Sequence, residues 1–285
     1  MRCLKICKGS YETSIAINKY KLIVGKDQIA KTTLFRCIEE FKEALALTEY
    51  QEETNSKCRL FLDDRELTSR NTNIIEVDVF TSLSQELKLP SKSLLLKSLV
   101  EELDTDEYHD IFTTINYLIQ SICDQFNETH DINFLGFAFT PQLFLKNAIA
   151  KIVIDGVEMN EFDLRMDQYI AMQIRMLDSF IKANSQFNIF VVHYPYITRT
   201  IMEAINQSNA LFLIDCMDSE IINDLENYCL FNDGSKVDLA LDEDIYETVC
   251  LNYLNNSNLQ EGKELMRRQL SNHIYQINSP VKETR

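Results

Sequence analysis

Gly25, Ala30, Lys31 and Thr32 have the types and spacing that come nearest to chemistry in this 285-residue chain. They follow an apolar run, Leu22-Ile23-Val24, and precede a helical pattern through Leu34, Ile38, Phe41 and Leu45. A phosphate-binding loop reads Gly-x4-Gly-Lys-[Ser/Thr] between a strand and a helix. Its glycines let backbone N–H groups curl round a phosphate, the Lys neutralises it, and the hydroxyl holds magnesium. Here Ala30 replaces the second glycine. A Cβ there obstructs positive φ and close approach of a phosphate. The loop is expected to be degenerate, complete in chemistry and damaged in geometry. A working NTPase or kinase would also need an acid at the end of a second strand. Asp63, Asp64 and Asp215 follow apolar runs and are the candidates. His109, His130, His193 and His273 have no helical metal spacing. Two acidic stretches, Asp124–Asp131 and Asp155 with Glu158, Glu161 and Asp163, lack EF-hand spacing and read as solvated helix ends.

The elements around the loop read as α/β. Residues 3–8 and 12–17 alternate apolar and polar about Gly9-Ser10, a hairpin leading into the Lys21–Val24 strand. A helix over 29–47, a polar stretch 51–57, and strands at 59–62 and 74–80 follow. The opening hairpin predicts a mixed sheet. From Pro90 the pattern turns helical. Ser91 is a candidate cap, 94–103 is a helix, and 111–126 is amphipathic. The apolar knot Phe134–Phe139 precedes a helix from Thr140-Pro141 to about Ile152, and 161–183 is a further helix. Strands return at 187–192, 210–214 and 228–231, with helices at 198–207 and 219–226. Their continuous apolar runs indicate a sheet covered on both faces. Helices at 242–254 and 259–274 close the chain. The expected organisation is an α/β head from 1–88 and 186–235, a helical leg inserted at 89–185, and a helical extension at 236–285.

A composition of 45% apolar and 25% charged residues describes a globular chain. Met1–Lys8 has no apolar leader core, and no run approaches the ~20 residues of a membrane span. Eight scattered cysteines without Cys-x2-Cys read as reduced thiols, so a cytoplasmic protein is expected. The net charge of −16 argues against nucleic acid, but residues 1–36 hold eight Lys and Arg against Glu12 and Asp27. A segregated basic patch on an acidic body can still bind a polyanion. The candidates for it are Lys57, Arg59, Arg65 and Arg70, supported by Lys26 and Lys31 at the loop.

The whole pattern resembles the small accessory adaptation protein of type II-A CRISPR–Cas loci. Three segments carry the likeness: Lys21–Phe35; Leu60–Arg65 through Arg70 to Ile74–Asp78; and Phe187–Val192, Thr198, Asn209–Ile214, Leu225 and Tyr228–Phe231. Order, spacing and inserted helices carry it rather than any one signature. The resemblance implies a P-loop-like head with a helical leg, a ring-shaped homotetramer, and no catalytic activity. It implies double-stranded DNA, preferably ends, bound in a basic lumen that Arg65 and Arg70 would line. It also implies spacer acquisition beside the nuclease-integrase proteins and the effector nuclease. Short members bind calcium through an acidic run in the leg. The matching region here, Asn133–Phe139, is apolar, so no cofactor is expected. Two rivals remain: a P-loop NTPase or kinase using Lys31, Thr32 and an acidic strand-end residue such as Asp215, and a scaffold that binds only protein.

Overall fold

The computed structural model describes residues 1–45, 58–68, 70–80, 94–130, 133–149, 151–154, 156–182, 187–219, 224–232, 234–251 and 258–271. Lys57 and the polar stretch 51–57, Ser91, Asp131, Asp155, and parts of the expected 219–226 and C-terminal helices lie outside these. The strands are β1 (Arg2–Lys8), β2 (Tyr11–Ile17), β3 (Tyr20–Val24), β4 (Cys58–Leu62), β5 (Arg65–Glu66), β6 (Thr72–Asp78), β7 (Ile152–Ile154), β8 (Val157–Met159), β9 (Phe187–His193), β10 (Tyr196–Ile197), β11 (Leu211–Asp215), β12 (Asp218–Ser219), β13 (Tyr228–Asn232) and β14 (Ser235–Asp238). The chain divides into two compact units, residues 1–79 with 186–285, and residues 80–185.

The first unit is α/β. Its main sheet runs β14-β13-β3-β11-β9-β6. All neighbours are parallel except β14, which lies antiparallel to β13. The sheet is mixed, but the opening hairpin is not the cause. β1 and β2 instead join β4 and β5 in a separate antiparallel sheet, ordered β2-β1-β4-β5. Leu4 pairs with Leu62 across 58 positions of sequence, which no local pattern reveals. Strands with one wet face alternate: Leu4 and Ile6, and Leu60 and Leu62, point inward, while Lys5 and Arg59 point outward. Between the sheets lies α1 (Gln28–Leu45). Its Leu34, Phe35, Cys37, Ile38 and Phe41 share one core with both sheets.

One turn and one buried ion pair help join these layers. Asp63 and Asp64 adopt positive φ (52 and 63) in the two-residue β4–β5 turn, a conformation Asp tolerates. Lys21 and Asp238, both fully buried, form an ion pair. Asp238 Oδ2 accepts from Ala16 N–H (2.7 Å), and Lys21 donates to the Glu226 carbonyl (2.6 Å). Lys236 donates to the Ser14 carbonyl. Side chains of β14 thus occupy backbone groups along β2 that would otherwise template another strand.

The second unit holds helices Leu94–Leu103, Asp106–Thr129, Pro141–Asn147 and Met166–Lys182, with the hairpin β7–β8. Pro141–Asn147 stops short of the expected end near Ile152, because Ile152 is already in β7. Two small clusters form, around Leu96 with Leu145 and around Ile152 with Tyr169. Asp106–Thr129 departs from expectation: its apolar side contributes no buried residue. Ile111, Tyr117, Leu118, Ile122 and Phe126 are each at least half exposed. The Phe134–Phe139 segment is tied along this helix by the Asn116 and Asn127 side chains and is also exposed.

Candidate functional site

The loop after β3 is closed by its own residues. Gly25 has φ +115, and a Cβ there would lie 2.2 Å from the Phe231 carbonyl oxygen. The close approach of β13 therefore demands glycine here, whether or not a phosphate binds. Asp27 N–H donates to the same carbonyl (3.0 Å), and Lys26 N–H donates to Asn232 Oδ1 (2.8 Å). Asp27 then caps α1: Ala30 N–H donates to its Oδ1 (2.9 Å) and Gly234 N–H to its Oδ2 (2.8 Å). These N–H groups, Ala30 first, hold the Asp27 carboxyl below its ordinary value. A carboxylate thus sits where the helix N-terminus would offer its N–H groups to an anion. The cap starts α1 at Gln28, so Ala30 is already helical and needs no positive φ. Its Cβ packs on the core instead of obstructing a loop, and Thr32 is exposed.

Lys31 is occupied too. Only 2% exposed, its Nζ lies 2.8 Å from Asp215 Oδ1 and 3.4 Å from the Cys216 carbonyl. Asp215 ends β11 opposite Ile23 of β3, so the parallel register delivers it to the loop helix. On its other side β11 pairs Asp215 with His193 of β9. His193 Nδ1 lies 3.6 Å from Asp215 Oδ2, its Nε2 lies 3.9 Å from Glu76 Oε1, and Lys42 pairs with Glu76. The edge of Phe35 packs on the imidazole (5.0 Å). Burial pushes the Asp215 carboxyl up, but His193 and Lys31 outweigh this and hold it below its ordinary value. The result is a continuous row of ionisable side chains, Lys31, Asp215, His193, Glu76 and Lys42. Asp63 and Asp64 lie in the other sheet and do not join it. Asp215 and Lys31 were each visible in the sequence. Glu76, inside β6, and the role of His193 were not, since only register brings them together.

The basic residues separate into places. Of the eight cations in residues 1–36, Lys5 pairs with Glu12, Lys8 with Glu40, Lys21 with Asp238 and Lys31 with Asp215. Lys19 donates to the Asn206 and Ser208 carbonyls at the end of helix Arg199–Gln207. The expected basic patch is thus largely paired, Lys21 and Lys31 in the interior and Lys5 and Lys8 at the surface, while Arg2, Lys26 and Arg36 are exposed. Arg59 lies on the outward side of the small sheet, over the Phe61 ring (5.6 Å). Arg65 and Arg2 both lie over Phe187, at 5.8 and 5.3 Å from its centroid. Arg70, exposed, precedes Asn71, whose carbonyl accepts from Phe187 N–H (2.7 Å). Arg2, Arg65 and Arg70 therefore converge at the amino end of β9. Lys26 and Lys31 sit at the carboxyl ends of the strands, about 20 Å away along a seven-residue strand. Arg2 was missed in the sequence because nothing local links it to residue 65.

Among the described residues no group of three or more His, Cys, Asp or Glu could hold a metal ion. Glu158 pairs with Lys151, and Asp163 closes a capping box with Asn160. None of the eight cysteines forms a disulfide, and burial raises Cys58 and Cys229 to about 12, values of unreactive thiols. No described helix is long and apolar enough to cross a membrane.

No family model matches this chain, and no curated protein matches it. Among solved structures, the crystal structure of Stu0660 of Streptococcus thermophilus is similar, with a TM-score of 0.66. The match covers 94% of this chain and 84% of that chain at 14% identity. A likeness at that identity concerns the fold, which is the mixed α/β arrangement described above.

Proposed function

We propose that this chain is a non-enzymatic, cytoplasmic protein that binds double-stranded DNA, preferably at ends, in CRISPR spacer acquisition. One contrast carries the reading. The loop cation Lys31 is buried against Asp215, whereas Arg65 and Arg70 stand exposed together at the other end of β9. The group that would serve a nucleotide is withdrawn, and groups that would serve a phosphodiester backbone are presented. The overall fold likeness to Stu0660 and the family resemblance of the sequence favour the same reading. In it the chain assembles as a ring-shaped homotetramer, for which the exposed apolar side of Asp106–Thr129 offers contact area. Its other partners are the nuclease-integrase proteins and the effector nuclease. A gel shift comparing linear with closed-circular duplex tests the DNA reading. Linear DNA is expected to bind more tightly, and equal failure to bind either form overturns it.

A further inference from the structure

We propose that Arg2 is part of the DNA-contacting surface and that Phe187 is a positioning residue holding Arg2 and Arg65 for a phosphodiester backbone. The inference rests on the DNA-binding reading above. Arg2 opens β1 and Arg65 opens β5, the strands flanking β4. Both guanidinium groups lie over one ring, with centroid distances of 5.3 and 5.8 Å, so the two charges are within about 11 Å of each other. The ring itself is fixed. Phe187 is the first residue of β9, in register with Thr72, and its N–H donates to the Asn71 carbonyl.

A cation–π contact holds a guanidinium over the ring without using up its five N–H donors, which match phosphate oxygens. It also restricts two long side chains before any ligand arrives, so less entropy is lost on binding. Two cations held this close repel each other. Asp63, whose Oδ2 is 4.0 Å from Arg2 Nε, offsets part of this but also accepts from Cys3 N–H. Glu66 follows Arg65 on β5 and pairs with Phe61, so it falls on the opposite side of the sheet. Arg70 adds a third positive charge at this end of β9. An extended polyanion relieves the repulsion, and a duplex backbone offers a phosphate every ~3.4 Å along each strand.

The test is fluorescence anisotropy of an end-labelled linear duplex against wild type, Arg2→Ala, Phe187→Leu and Phe187→Tyr, over a range of salt. Arg2→Ala is expected to weaken binding roughly five-fold and to lower the salt slope. Phe187→Leu, which keeps every charge, is expected to weaken it several-fold, and Phe187→Tyr to restore it. Wild-type affinity and slope in both Arg2→Ala and Phe187→Leu, with wild type binding tightly, would overturn this inference and leave the DNA reading standing. Absence of duplex binding by wild type would overturn both. Should Phe187→Leu fail to fold, Arg2→Ala, a change at an exposed residue, decides alone.

Discussion

Lys31 Nζ lies 2.8 Å from Asp215 Oδ1, so the lysine of a phosphate-loop sequence is neutralised by a strand-end acid of the same sheet. The pair is unequal: Lys31 is 2% exposed and Asp215 31%. Removing one partner of a fully buried pair costs about 3–5 kcal/mol, because it strands the other charge. Partial exposure lowers this, and Asp215→Asn is expected to cost ~2 kcal/mol in urea denaturation. Lys31→Met, which fills similar volume without charge, should cost less, since Asp215 keeps His193 and water. The double change should cost less than the sum of the singles. Additive effects, or an Asp215→Asn protein as stable as wild type, would show the pair is not coupled.

The same contacts fix a pH dependence. The folded Asp215 carboxyl lies below its ordinary value of 3.8. A depressed acid contributes stability that is present above the unfolded value and disappears as pH falls through the folded one. Thermal melting of wild type should therefore decline below about pH 4 more steeply than that of Asp215→Asn. Parallel acid limbs for the two proteins would rule out Asp215 as a source of the decline.

What the sequence revealed depended on how local each cause is. The helix Leu94–Leu103 was legible because its apolar periodicity is local. The buried strands β9, β11 and β13 announced themselves by unbroken apolar runs. β14 did not, since Ser-Lys-Val-Asp reads as surface. Its Asp238 is buried only because Lys21, 217 positions away, meets it there. The β7–β8 hairpin was missed although Ile-Val-Ile-Asp-Gly-Val-Glu-Met carries a local signal for it, Asp-Gly between β-branched residues. In the site, Gly25, Lys31 and Asp215 were visible singly. Their mutual neutralisation was not, because it follows from the parallel register of β3 and β11. The amphipathic pattern of 111–126 was real, but period alone does not say whether a face meets a core or another molecule.

Nucleotide turnover is expected to be at background in wild type and unchanged in Lys31→Ala. A nucleotide would have to break the Asp27 cap, part the loop from Phe231 and draw Lys31 out of its pair. Each step gives up a made contact for a new one, so little binding energy remains. Steady-state ATP hydrolysis measures this. Robust hydrolysis in wild type that Lys31→Ala abolishes would establish the NTPase alternative.

The last expectation concerns DNA. An acidic chain of net charge −16 binds a polyanion only through a local basic surface, and affinity then falls steeply with salt. Arg65 and Arg70 both lie near the amino end of β9, one over the Phe187 ring and the other next in sequence to Asn71. Arg59, on the opposite side of the small sheet, points elsewhere and provides a comparison. In the proposed ring, each contact would be repeated by every subunit around one duplex, so small local effects would multiply. The double change Arg65→Ala, Arg70→Ala should therefore weaken linear-duplex binding by more than roughly ten-fold and flatten its salt slope. Arg59→Ala should do markedly less. Size-exclusion chromatography should show the assembly intact in both. An intact double mutant that binds linear duplex as wild type does would place the DNA surface elsewhere on the molecule.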